Sequence, residues 1–372
     1  MSRSATHFYN QNKLKLGIFS ANCSGGMAIT TVPERWDASW DSNLELARMA
    51  DAAGLEFLLP VARWTGYKED SFFHNEVLET MGWANGLLAA TQDITIFATV
   101  HTSFTHPIIG AKQCATADQI GHGRFGLNIV CGWNRFEYEM FGLDLPKEHT
   151  DRYAAGQEWF DVVRRIWTER KAFDWDGAIY KLKHVAGEPK PYFGDCPPIL
   201  SAASSQEGRA FAVKNADFLF TVLTDLGQGA KDVAAVKAQA AAADRNVGVF
   251  TTSYVVCRPT DAEARDYHHY YADTHAKWDE VDRFMELQNV NSQSFPPEAF
   301  KLFRGRFAGG NGVYPIIGSP DTVAEILANI SEAGFDGTTV AFVNYNAELP
   351  YFRDEVLPRL ERKGLRLPVA ER

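Results

Sequence analysis

The residues of this chain that could do chemistry lie in short polar runs that interrupt apolar ones. Ser204-Ser205-Gln206-Glu207-Gly208 follows a short apolar segment and opens a helical pattern. Hydroxyls and backbone N–H groups at a helix start suit a phosphate. A plain N-cap accounts for the same residues, with Ser205 capping and Gly208 packing closely. Arg152-Tyr153 opens another helical stretch and offers a cation and a phenol to the same anion. An exposed arginine beside a core tyrosine is the alternative. Asn128 sits near the end of the apolar run Phe125–Val130, where an amide faces either a site mouth or a core partner. Thr99 and His101 flank the end of Ile94–Val100, rich in β-branched residues. Cys131 has no activating neighbour and reads as a small buried thiol. No GxSxG, HExxH or P-loop pattern occurs. Asn22-Cys23-Ser24-Gly25-Gly26 lacks the spacing of a dinucleotide-binding turn.

The elements that must position these residues alternate. Strand-like runs fall at Leu14–Ser20, Phe57–Pro60, Ile94–Val100, Arg124–Val130, Ile199–Ser201, Phe218–Val222, Val247–Val256 and Thr338–Val343. Helical patterns fall at Trp40–Ala53, Glu79–Ala90, Pro107–Ile120, Tyr153–Thr168, Ser205–Asn215, Gly229–Ala243, Asp261–Arg283, Asp321–Gly334 and Leu349–Lys363. About eight βα units predict an α/β fold, a (β/α)8 TIM-like barrel, with an open doubly wound sheet as the competitor. Glu169–Pro198 and Met285–Ile317 resist the pattern and are expected to be insertions on a single domain, the second a lid. In a barrel the reactive face is where strands finish. That places Asn22, Ser24, Arg63, Thr99, His101, Asn128, Cys131, Trp133, Ser204, Ser205, Thr221, Thr224 and Asn344 just past strand ends.

Composition narrows the class. The 372 residues are 45% hydrophobic and 23% charged, as in an ordinary folded globule. Length alone suggests two domains, although α/β barrels exceed 200 residues as one. A net charge of -10 argues against a general nucleic-acid or anionic-membrane binder. Five scattered cysteines show no zinc spacing and read as reduced thiols. With no apolar signal core and no run near the ~20 residues of a membrane span, the expected location is the cytoplasm.

Together the motifs resemble the bacterial luciferase-like flavin monooxygenases. Gly123-Arg124-Phe125-Gly126-Leu127-Asn128-Ile129-Val130-Cys131-Gly132-Trp133 is similar to that family's fourth-strand signature. Glu137-Tyr138-Glu139, Asp151-Arg152-Tyr153, Trp175-Asp176-Gly177, Pro189-Lys190-Pro191, Ala202-Ala203-Ser204-Ser205 and Ala216-Asp217-Phe218 fit the same family. Ser24-Gly25-Gly26 and Arg63-Trp64-Thr65-Gly66-Tyr67 resemble the dimethylsulfone enzymes of the branch that also holds the alkanesulfonate and pyrimidine enzymes. Ile96-Phe97-Ala98-Thr99 resembles the pyrimidine enzyme.

The resemblance implies a TIM-like barrel that takes reduced FMN from an NAD(P)H-dependent flavin reductase. It would insert one oxygen atom of O2 into a small organic substrate through a flavin–oxygen adduct, with C–S or C–N cleavage. It further implies flavin contacts at Ala62, Arg63, Asn128, Glu137, Arg152, Tyr153 and Ser205, the last three at the phosphate. Thr99 would lie where oxygen reacts, Trp133 would wall the cavity, and a homodimer or homotetramer is expected. His101, with Asn128 and Thr99, is a catalytic candidate, and Arg63 also faces the substrate side. Arg63 stands where the pyrimidine enzyme has lysine, so the substrate does not carry over. The alternatives are an F420-dependent oxidoreductase of the same superfamily, a cofactor-free barrel aldolase or hydrolase, and a non-catalytic flavin-binding homologue.

Overall fold

In the computed structural model, residues 2–67, 71–203, 205–288 and 297–369 are described. Eleven strands occur among them. They are β1 (Lys15–Phe19), β2 (Phe57–Leu59), β3 (Thr95–His101), β4 (Phe125–Val130), β5 (Phe173–Asp176), β6 (Lys181–Val185), β7 (Ile199–Ala202), β8 (Phe218–Phe220), β9 (Gly248–Cys257), β10 (Tyr314–Gly318) and β11 (Gly337–Ala341). Eight of them close a ring in the order β1-β2-β3-β4-β7-β8-β9-β11, and β10 is a ninth strand paired to β9. The ring is the parallel (β/α)8 barrel expected from the sequence. Every residue of β3 is buried, and every residue of β4 but Val130, as in strands covered on both faces.

Local chemistry explains most helix ends. Ser39 caps the helix Trp40–Ala52 by accepting from the Ser42 N–H, and Gly54 follows at φ 67°. Pro107 starts the helix Pro107–Ile120, where its missing N–H costs nothing. Thr260 and Glu263 form a capping box at Asp261–His269. The continuous helix expected over Asp261–Arg283 is broken. Tyr270–Thr274 widens into a π-helical turn, and a new helix starts at Trp278. The freed backbone is taken by a distant loop. The Thr30 hydroxyl donates to the Tyr271 and His275 carbonyls at 2.8 and 3.0 Å, and Lys277 N–H donates to the Ile29 carbonyl at 3.1 Å.

The stretch Glu169–Pro198 carries the antiparallel hairpin β5–β6. Met285–Ile317 carries the end of the helix Trp278–Leu287, the helix Pro297–Gly310 and most of β10. Residues 289–296 of that expected lid lie outside the described residues, as does Ser204.

The chain divides into two compact units. The first comprises Met1–Asn10, Glu79–Thr221 and Val236–Gly248. Its core includes Trp159 and Trp167, whose indole N–H groups donate to the Thr105 and Ala111 carbonyls at 2.7 and 3.0 Å. Arg3 holds the first residues down. Its guanidinium meets Asp118 at 3.0 Å and Asp195 at 2.9 Å and donates to the Gly123 carbonyl. Phe8 lies edge-on to Phe97 and Phe218.

The second unit comprises Gln11–Leu78, Val222–Ala235 and Val249–Arg372. Phe57 stacks on Phe250 at 5.4 Å. Beside β1, Arg366 pairs with Glu56 at 2.7 Å with both side chains fully buried. Asn12 donates to the other carboxylate oxygen.

Candidate active site

In the first unit, Thr99 on β3 and Asn128 on β4 are register partners. Parallel pairing sets them side by side, and the Asn128 amide donates to the Thr99 hydroxyl at 3.0 Å. Both are buried. The Asn128 Oδ1 has no hydrogen-bond partner among the described residues. A buried, unfilled acceptor costs about 1–3 kcal/mol, so a bound group that donates to it gains more than an exposed contact would. Thr80, at the start of the helix Thr80–Ala90, donates to the Thr99 carbonyl at 2.7 Å and fixes that strand end. The sequence reading missed Thr80. A threonine opening a helix is the faint signal that pointed to it.

His101 ends β3. Its Nε2 lies 3.9 Å from the Glu137 Oε2, and both side chains are buried. Glu137 is carried by the helix Arg135–Met140, which Asn134 caps. Phe104 packs beside the imidazole at 5.2 Å. The next residue in that helix, Tyr138, bonds the Ser103 hydroxyl at 2.6 Å and the Cys131 carbonyl at 3.1 Å. Gly132, at φ 81°, makes room for its ring. Burial pushes the Cys131 thiol up to about 12, so it is not a thiolate nucleophile. Trp133 is 42% exposed, so it is not a core residue.

Arg152 and Tyr153 lie in the first turns of the helix His149–Thr168. Arg152 is buried and forms no hydrogen bond or ion pair among the described residues. Uncompensated buried charge is expensive, so such a cation is best explained by an anion it is built to meet. The Tyr153 hydroxyl lies beside Ser205, and burial raises its pKa. Ser205 in turn caps the helix Gln206–Asn215, accepting from Gly208 N–H at 3.1 Å. A methyl at Gly208 would collide with the Tyr153 hydroxyl and, at 2.6 Å, with the Ala203 Cβ. The glycine therefore lets the phenol lie against the helix start. The N-cap reading of Ser205 holds, and the same residue sits beside the phenol.

Other residues noted past strand ends have structural work. In the second unit, the Asn22 amide holds Val61 N–H, Val61 O and Leu78 O. Ser24 bridges the Phe72 carbonyl and Glu76 N–H. Asn344 caps the helix Tyr345–Glu355. Arg63 bonds the Tyr67 hydroxyl at 2.7 Å and lies over that ring. Ala62, its neighbour, is half-buried. Among the described residues no group of three or more His, Cys, Asp or Glu could hold a metal, and no helix is long and apolar enough to cross a membrane.

Residues 14–337 match the luciferase-like monooxygenase family. The chain is 30% identical over 353 residues to an FMNH2-dependent dimethylsulfone monooxygenase of Pseudomonas putida, covering 93% of this chain and 94% of that one. It is 28% identical over 368 residues to a pyrimidine monooxygenase of Allorhizobium ampelinum, covering 94% and 97%. Its fold is similar to that of a riboflavin lyase, with TM-score 0.84 at 20% identity over 95% of this chain and 92% of the other. With its fold and most of its length in agreement, the chain belongs to the luciferase-like monooxygenase family.

Proposed function

We propose that this protein is an FMNH2-dependent, two-component monooxygenase acting on a small organic substrate by C–S or C–N cleavage. The observation that carries the reading is the unfilled Asn128 amide oxygen, buried beside Thr99 at the end of adjacent strands. The residues present fit the cofactor. A flavin ring system carries an N–H that an amide oxygen accepts, and its phosphate suits Arg152 with Ser205 and Tyr153. Ala62, Arg63 and Glu137 are assigned to the flavin by resemblance.

When bound, reduced FMN supplies the electrons that activate dioxygen. The protein's share is binding, orientation and exclusion of water. Asn128 would fix the ring edge and hold the Thr99 hydroxyl in one orientation. Thr99 would then present that hydroxyl where oxygen reacts. Arg152 would hold the phosphate end, and Ser205 would pair it with the helix start. His101 would donate a proton to a leaving oxygen. Trp133 and Arg63 would meet the substrate. A separate NAD(P)H-dependent flavin reductase would deliver the reduced cofactor, and a homodimer or homotetramer is the expected assembly.

Oxygen uptake by the purified protein, with a flavin reductase, NADH, FMN and a panel of sulfones, sulfonates, pyrimidines and other heterocycles, tests the reading. The expected result is uptake with stoichiometric product from one substrate class. Absence of FMN affinity in both redox states overturns it.

A further inference from the structure

We propose that a cavity at the strand-start end of the first unit is a binding site for a small organic carboxylate, separate from the strand-end residues described above. Its volume is about 370 Å³, within the range of small-molecule sites. Ile199, which opens β7, and Asp217, which stands just before β8, both line it, so it lies where these strands begin.

The lining carries three cations against one carboxyl. Arg245 is a fixed wall. Its two terminal nitrogens donate to the Val213 and Ala216 carbonyls at 2.8 and 2.9 Å, at the end of the helix Gln206–Asn215. Arg164, on the helix His149–Thr168, gives one guanidinium nitrogen to Asp161 at 3.0 Å. That guanidinium forms no other hydrogen bond among the described residues. Lys214 is exposed, and its ammonium has no partner among the described residues. A planar fork with spare donors beside a point charge suits a carboxylate.

The opposing charge is weak. Asp217 accepts the Ile199 N–H at 2.8 Å, and burial raises its carboxyl above the usual range. A carboxyl that keeps its proton more readily repels an anion less, and when protonated it donates to one. Burial pushes the Cys196 thiol, also in the lining, up to about 11, so it adds no charge at neutral pH. Phe160 and Ile199 supply apolar wall. Cations beside apolar wall favour an anion with an apolar body over a bare inorganic ion, and they disfavour an amine.

The probes are benzoate, its neutral counterpart benzamide, and inorganic phosphate, each added to the full-length protein without flavin. Arg152 is a second cation able to attract an anion, so the readouts are local to the cavity. Cys196 is half-buried, whereas the other four cysteines are buried. Its rate of alkylation by N-ethylmaleimide is followed by peptide mass spectrometry. Hydrogen exchange across the helix Gln206–Asn215 is the second local readout. Benzoate is expected to slow both, and benzamide and phosphate are expected to slow neither. Arg164→Gln and Lys214→Gln, both at exposed side chains, are each expected to weaken the benzoate effect about fivefold, the upper value for an exposed ion pair. Benzoate that leaves both readouts unchanged overturns the proposal. So does equal protection by benzamide, or a benzoate effect that is the same in both variants as in wild type. Equal protection by phosphate means an adventitious ion only and overturns the carboxylate site. None of these outcomes touches the cofactor reading, which is tested by FMN affinity.

Discussion

Two buried polar clusters in this chain differ in how completely their charges are paired. In the second unit, Glu56 receives Asn12 Nδ2 on one oxygen and Leu16 N–H and Arg366 on the other. The two terminal nitrogens of Arg366 also reach the Leu14 and Gly54 carbonyls, and its Nε alone lacks a partner among the described residues. In the first unit, the Asn128 amide is half used and Arg152 has no acid among the described residues. On the proposed function, the contrast separates polar groups that hold the fold from those kept for a ligand. A charge-paired network is a stability device, and an incomplete one kept for a cofactor would lower stability until it is occupied.

Substitutions in the two clusters test this division. Arg366→Met strands a buried carboxylate and is expected to cost about 3–5 kcal/mol in urea unfolding, with FMN affinity of the folded protein unchanged. A loss of FMN affinity there would erase the distinction. Arg152→Ala is expected to do the reverse. FMN affinity falls about ten- to hundredfold, the worth of a charge-assisted contact of roughly 1.5–3 kcal/mol. Stability of the free protein holds or rises, since a buried charge is removed. Gly208→Ala pushes Tyr153 off the helix start and should cost about 1–3 kcal/mol of stability by overpacking, with weaker FMN binding. Ser205→Ala removes a cap worth about 1 kcal/mol, and calorimetry with and without FMN separates its two roles.

The smallest effect belongs to Asp217, which sits at the strand starts instead of the strand ends. Burial raises its carboxyl above the usual range. For an acid shifted upward, the neutral form is the one stabilised in the native state. Its contribution is present at low pH and is lost as pH rises through the native value. Asp217→Asn should therefore remove the decline that runs from the ordinary carboxylate range up to that raised value, read as a flatter dependence of Tm on pH on the acid side.

Much of the first unit's site was legible because its signals are local. A strand end, an N-cap and a helix start are written in neighbouring residues, so Thr99, Asn128, Arg152 and Ser205 could be singled out as candidates by position. Their roles came from the family resemblance. What could not be read depends on contacts far apart in the chain. The break after Tyr270 follows from the Ile29–Thr31 loop some 240 positions earlier, while the local pattern favours one helix. The meeting of His101 with Glu137 needs the chain to turn at Gly132 and start a short helix. The structural duties of Asn22 and Ser24 were hidden for the same reason: their partners lie about 40–50 residues away, outside any window that periodicity surveys.

The Arg3 clamp has a consequence for the order in which the molecule is made. Its partners Asp118 and Asp195, and the Phe218 ring that receives Phe8, all come much later in the chain. At ordinary ribosomal speeds, roughly 10–40 s separate the first residues from Phe218. During that interval the segment around Arg3 and Phe8 has none of these partners to dock on, so it stays exposed on the growing chain longer than segments whose partners lie close in sequence.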